Sequence, residues 1–397
     1  MNATTASTGD DAAAWLQGKE KELETAVAEL VRLNSFTEHV EGGNAVGELL
    51  RTFLTMPGLA VERVKSTRFA DHWVYRSEGV AAAPPVALIG HLDTVFPPGT
   101  FEGYRRDGDL ARGPGVLDMK GGLVVVAFAL RALAETVGLG ALPPLRLVIV
   151  GDEEVGSPEG QGIIRSAIAG ADAALVFEAG RAGDAIITRR KGTGAMTARA
   201  TGKAAHAGNA HKEGANAIWA LARFVDRVQA LTDYGRGVTV NVGKITGGQS
   251  KNTVPDQAEA LFDLRFETQA DADALIAGVR AAAEAATADL PGTRIELEGG
   301  VARLPLERTD RSGALLSAYG AAALRSGLGN AEAGLIGGGS DASTSHAMGI
   351  ASIDGLGPRG SGFHTKDEQI LVASLLWKAQ ALARFLATQP RAREPRA

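Results

Sequence analysis

Two histidines and several carboxylates stand where a chain that alternates strand and helix concentrates its chemistry. His91-Leu92-Asp93-Thr94 comes directly after the apolar run VALIG at 86–90. Asp152-Glu153-Glu154 follows LRLVIV at 145–150 after one glycine, and Glu178 follows AALVF at 173–177. Runs this short and apolar, bounded by Gly, Asp or Pro, read as strands covered on both faces, and open α/β sheets build their sites at the C-terminal ends of such strands. Asp118 lies in GPGVLDMKGG (113–122), just ahead of a glycine pair, and His364 lies in the glycine-rich GPRGSGFHT (357–365).

Each residue alone has a bland reading: His91 as a satisfied loop histidine, Asp118 as a helix cap, Glu153 and Glu154 as a solvated loop pair. Glu178 has a poorer one, because a carboxylate next to LVF at a sheet edge needs a partner. Their joint occurrence changes the reading, since acids crowded on one edge repel unless cations neutralise them. The chain has no cysteine, so any metal must sit on His and carboxylate, a donor set suited to hard or borderline divalent ions. Adjacent residues in extended structure point apart, so of Glu153 and Glu154 one can hold metal while the other faces a water.

These residues need a scaffold of strands and crossovers. GLVVVAFALRALAETV (122–137) predicts a buried helix between the first two strands, and 11–33 and 44–55 carry apolar residues at helical spacing. The order implies a mainly parallel α/β sheet. After about residue 190 the pattern changes to strand 194–201, helix 213–231, strands 237–245 and 258–267, helix 270–288 and strand 294–298. That is the βαββαβ order of a ferredoxin-like unit. It reads as an insertion, giving one domain at 1–190 and 304–397 around an inserted domain at 191–303, with a helix at 370–387 and a frayed charged tail, QPRAREPRA.

With 45% hydrophobic and 22% charged residues, the composition is that of a globular protein. A net charge of −5 argues against nucleic acid and anionic membranes as partners. No apolar run reaches membrane-span length and the first residues lack signal-peptide character, so a cytoplasmic location is expected. Glycine, 51 of 397 residues, is nearly double its usual share of about 7% and implies many tight turns.

With these motifs in order, GHLDTV (90–95), GPGVLDMKGG, GDEEVGS (151–157), FEAG (177–180) and GFHT (362–365), the sequence resembles the dinuclear-zinc metallopeptidases and deacylases that include glutamate carboxypeptidase, succinyl-diaminopimelate desuccinylase, aminoacylase and peptidase T. The likeness covers nearly the whole chain and is nearest to the glutamate carboxypeptidase branch. It takes in His-Ala-Gly at His206, Asn-x-Val-Pro at Asn252 and GGGSDA at 337–342. It implies two zinc ions, replaceable by cobalt or manganese, on His91, Asp118, Glu154, Glu178 and His364, with Asp118 bridging. It further implies Glu153 as general base, Asp93 orienting His91, and a cis peptide between Asp118 and Met119.

By the same resemblance His206 polarises the scissile carbonyl across a homodimer formed by the inserted domain, Asn252 adds a second donor, and Arg303 and Ser340 meet a substrate carboxylate. The bland alternatives are a surface loop histidine at His206 and a hinge salt bridge at Arg303. Two departures stand out: His211 where the family usually has proline, and Ser340 where the nearest branch has threonine. The GGGS run could be a phosphate nest, but no P-loop lysine follows it. The resemblance implies hydrolysis of an amide in a small peptide or N-acyl amino acid to release a C-terminal amino acid such as glutamate. An N-acyl amino acid deacylase or dipeptidase is the alternative, and a non-catalytic binding homologue the reading from another class.

Overall fold

A computed structural model describes residues 3–80 and 83–389. The chain forms two compact units, one of Met1–Arg189, Arg308–Leu335 and Ser340–Ala397, the other of Arg190–Glu307 and Ile336–Gly339. All but Gln389 of the charged tail lies outside the described residues. Among the described residues, no helix is long and apolar enough to cross a membrane.

The first unit is built on a six-stranded sheet in the order Ala60–Val64, His72–Arg76, Leu145–Val150, Val86–His91, Ala173–Val176, Ala351–Ile353. Val86–His91 is central and pairs in parallel with Leu145–Val150 and Ala173–Val176. Every residue of the central strand is buried, which is why it reads as an unbroken apolar run. The first two strands pair antiparallel and do not stand out in the sequence. Ala60–Val64 is an exposed edge, and His72–Arg76 begins and ends on polar residues, so neither shows the signature of a strand buried on both faces.

The predicted crossover helix runs from Lys120 to Thr136. Its opening glycines permit contacts a side chain would block: a Cβ on Gly121 would lie 2.3 Å from the Val116 carbonyl oxygen, and one on Gly122 2.2 Å from that of Phe177. The helix thereby starts hard against the strand end that carries Glu178. The helix expected over 11–33 is two helices, Ala3–Trp15 and Glu20–Val31, separated at Gly18, whose φ of 80° is the left-handed conformation that ends helices.

The second unit is a four-stranded antiparallel sheet in the order Thr239–Gly247, Gln257–Phe266, Gly192–Thr201, Arg294–Arg303, packed with helices Ala217–Gln229 and Gln269–Asp289. In chain order the strands lie 2-3-1-4, the ferredoxin-like arrangement. Gly192–Thr201 alternates buried with less buried residues along its whole length, as a sheet with one apolar face requires. Asn216 and Thr268 cap the two helices through their side chains, accepting from Trp219 N and Asp271 N. The Asn216 cap sets a later helix start than periodicity suggests, and His211–Glu213 forms a separate 3₁₀ turn.

The glycine argument gives a stability test. Gly122→Ala overpacks the Phe177 contact and is expected to destabilise by about 1–3 kcal/mol. Gly140→Ala, whose added Cβ meets nothing within 4 Å, is expected to be near neutral. Calorimetric unfolding of the two variants checks the difference.

Candidate metal centre

The ends of three parallel strands and two glycine-rich loops converge in the first unit. His91 ends the central strand, and His364 lies in the loop before Gln369–Leu371 with a left-handed φ of 61°. Glu153 and Glu154 open a 3₁₀ turn after Leu145–Val150, Glu178 stands two residues past Ala173–Val176, and the Asp118–Met119 peptide is cis. The six side chains form two groups, His91–Glu153–Glu178 and Asp118–Glu154–His364, in each of which one ligand atom per residue lies within 4.8 Å of the others. Asp118 spans them: Oδ1 is 3.5 Å from His91 Nε2 and Oδ2 is 3.3 Å from His364 Nε2. His91 Nε2 is also 3.7 Å from Glu178 Oε1, and His364 Nε2 is 3.1 Å from Glu154 Oε2.

The residues fit divalent cations on the structure's own terms. His91 Nε2 and Asp118 Oδ1 are buried, face each other and make no hydrogen bond, a costly arrangement for two polar atoms unless something is held between them. Burial, with Asp118 nearby, pushes Glu178 up to about 8. Burial also pushes Glu154 up to about 7, although His364 opposes it. Hydrogen bonds to Asp118 and Glu154 raise His364 to about 10. Burial works against charge on His91, yet Glu178, Asp118 and Asp93 outweigh it and hold that imidazole well above its usual range. Asp118, opposed by burial but facing His364 and His91, stays well below the usual carboxylate value. The acids draw positive charge into the cluster, and divalent ions meet that demand better than protons. These groups form a candidate dinuclear centre.

Asp93 organises the rest. Its main-chain oxygen lies 3.0 Å from His91 Nδ1 and its Oδ1 3.4 Å from the same nitrogen. The carboxylate accepts the N–H groups of Glu153 and Glu154, each at 3.1 Å, and the Thr37 hydroxyl at 2.8 Å. One buried acid thus fixes both the histidine ring and the acidic pair.

Of the remaining sequence-predicted residues, Ser340 is buried in the first unit and its hydroxyl donates to Asp354 Oδ2 at 2.6 Å. His206, Asn252 and Arg303 belong to the second unit. His206 is exposed on a two-residue ladder opposite Thr253, and its Nδ1 accepts from Gly208 N and Asn209 N, which places the ring proton on Nε2. Asn252 adjoins it, its carbonyl accepting Ala207 N. Arg303 is buried at the end of its strand, against Gly339.

Two features escape the sequence. Glu368 is fully buried beside the Asp118 loop, yet in Lys366-Asp367-Glu368 it reads as one of a solvated charge run. Arg181 lies over the Phe363 ring, which meets His364 edge-on, a contact between positions too distant in sequence to signal each other.

Residues 188–290 match the family model described as the peptidase dimerisation domain. The chain is 28% identical over 365 residues to carboxypeptidase G2 of Pseudomonas sp. (strain RS-16), covering 90% of this chain and 86% of that one. It is 30% identical over 285 residues to succinyl-diaminopimelate desuccinylase of Dinoroseobacter shibae, covering 66% and 72%. A tripeptidase structure from Staphylococcus aureus shares the fold, with a TM-score of 0.77 at 23% identity over 93% of this chain and 99% of that one. The chain belongs to the M20 peptidase/deacylase family of dinuclear metal-dependent hydrolases.

Because Glu154, Glu178 and His364 sit at about 7, 8 and 10 without metal, an incoming cation must displace their protons. Metal affinity is therefore expected to rise as pH increases from about 6 to about 10. Zinc titration calorimetry at neutral pH in buffers of different ionisation enthalpy should show net proton release, and its absence would contradict these protonation states.

Proposed function

We propose that the protein cleaves an amide bond to release a C-terminal amino acid, with glutamate the favoured product. The observation that carries this reading is the pair of groups joined through Asp118, with Glu153 next to Glu154 in the chain. In this reading His91, Asp118, Glu154, Glu178 and His364 would hold two zinc ions, replaceable by cobalt or manganese, with Asp118 serving both groups. The ions supply Lewis acidity that polarises a carbonyl and eases deprotonation of water.

The chain's own residues do the rest. Glu153 takes the proton from the attacking water and returns it to the leaving nitrogen. Asp93 holds the main-chain N–H groups of Glu153 and Glu154, so the base is aimed without depending on a flexible loop. His206 offers its Nε2–H, and Asn252 its side-chain amide, to the oxygen on which charge develops. His206 acts across a homodimer formed by the second unit, a reading supported by the match of residues 188–290 to a dimerisation domain. Arg303 binds the free carboxylate of the substrate as a paired donor, with Ser340 helping to shape that subsite.

A second reading, deacylation of an N-acyl amino acid, is favoured by the 30% identity to a desuccinylase. The same metal ligands and base serve both, and the groups around the acyl moiety separate them. A screen of peptidyl and N-acyl amino acids in the presence of zinc, cobalt or manganese decides between them. Failure to hydrolyse any of them would overturn both.

Glu153→Gln keeps size and removes the base, so kcat is expected to fall about 100-fold or more while elemental analysis finds wild-type metal content. Glu154→Gln should lose metal instead, and equal metal loss in both would mean the pair is assigned the wrong way round. Arg303→Ala and Arg303→Lys are expected to lower kcat/KM for free-acid substrates about 10- to 1,000-fold, because lysine cannot reproduce the bidentate fork. An amidated substrate, already poor for the wild type, should be little affected. Unchanged cleavage of the free acid by Arg303→Ala would place the anchor elsewhere.

A further inference from the structure

Glu368 joins the two loops that carry Asp118 and His364. Its Oε1 accepts the main-chain N–H groups of Leu117 at 2.9 Å and Asp118 at 3.0 Å, and its Oε2 accepts that of Gly115 at 3.1 Å. The segment from Gly113 to Met119 forms neither strand nor helix, so no regular ladder provides for these amides. On its other side, Glu368 N donates to Thr365 O at 3.2 Å and Thr365 N to Gly362 O at 3.0 Å, closing the turn in which His364 keeps its left-handed backbone. Gly113 N reaches the Glu368 carbonyl at 3.4 Å, a second link between the same loops.

We propose that Glu368 is a positioning residue that sets the mutual geometry of Asp118 and His364, and through it the metal affinity of the Asp118–Glu154–His364 group. This rests on the proposed assignment of those three residues as ligands. With both oxygens turned to main-chain amides, Glu368 acts through the peptide N–H of one ligand and the loop closure of another. Metal sites tolerate ligand displacements of only about 0.2 Å, so a small rotation of the Leu117–Asp118 peptide is enough to carry Asp118 Oδ2 out of range of an ion shared with His364. When ionised, the carboxylate is acceptor-only, whereas a glutamine in its place must turn an NH₂ toward one of three N–H donors.

The test compares Glu368→Gln, Glu368→Ala and His364→Ala with wild type. Stepwise zinc affinities are read by chelator competition, bound metal by elemental analysis, and the stability of each metal-free chain by thermal unfolding. Metal-free Glu368→Gln is expected to unfold cooperatively and to bind one of the two ions about 10- to 100-fold more weakly, the other, which would share Asp118 but not His364, being less affected. After dialysis it should retain about one ion per chain, as His364→Ala does, and Glu368→Ala should be weaker still. Wild-type affinity for both ions in Glu368→Gln, or equal weakening of both, overturns the proposal. So does a metal-free Glu368→Gln chain that has lost cooperative unfolding, which would make Glu368 a residue of the fold alone. If His364→Ala keeps both ions, the ligand assignment itself fails, which is separable from a failure at Glu368.

Discussion

The mutual repulsion of carboxylates at one edge of a sheet is the constraint on which the rest of this structure depends. Asp93, Asp118, Glu153, Glu154 and Glu178 converge there around His91 and His364. An array of this kind unfolds locally or takes up protons unless positive charge is supplied from outside the side chains. The raised positions of Glu154, Glu178 and both histidines express that tension. A pair of divalent ions would convert that repulsion into attraction.

The fold bears this load by distributing the acids over elements that cannot move independently. The central strand and its two parallel neighbours bring His91, the Glu153–Glu154 pair and Glu178 to one end with spacings fixed by the ladder. Two buried acids then serve as acceptors for main-chain N–H groups: Asp93 for Glu153 and Glu154, and Glu368 for Gly115, Leu117 and Asp118. In both, a carboxylate that accepts main-chain N–H groups orients a segment whose side chains are the proposed ligands and base. The glycine pair at 121–122 completes the arrangement by letting a helix abut the strand ends where any side chain would collide.

Much of this is legible in the sequence because burial on both faces leaves a strong trace. The strands ending at His91, Val150 and Val176 are apolar runs with polar residues at their C-terminal ends, and the residues picked there do meet in space. The ferredoxin-like unit is legible for a different reason: a sheet with one apolar face alternates, and its helices keep amphipathic spacing. The strands Ala60–Val64 and His72–Arg76 are not legible, being an exposed edge and a strand whose ends are polar. The break at Gly18 is masked because apolar spacing continues on both sides of a single left-handed residue. Glu368 is hidden most thoroughly, since its neighbours Lys366 and Asp367 are exposed and only the path of the chain turns it inward.

Glu368, which no sequence pattern marks, has a physical character that bears on how the site works. Sequence patterns reveal groups that act through side-chain chemistry, because residue type is restricted there. A group that acts by accepting main-chain N–H bonds leaves no restriction on its partners, as the identities of Gly115, Leu117 and Asp118 are irrelevant to the amides they donate. Asp93 was visible only because it stands two residues from a histidine, whereas Glu368 sits about 250 positions along the chain from the loop it holds. The accuracy of a dinuclear centre, which must place two ligand sets around a shared carboxylate, depends on such long-range backbone contacts as much as on the ligands themselves. A chain carrying every ligand motif but lacking these acceptors would look complete in sequence and still hold its ions loosely.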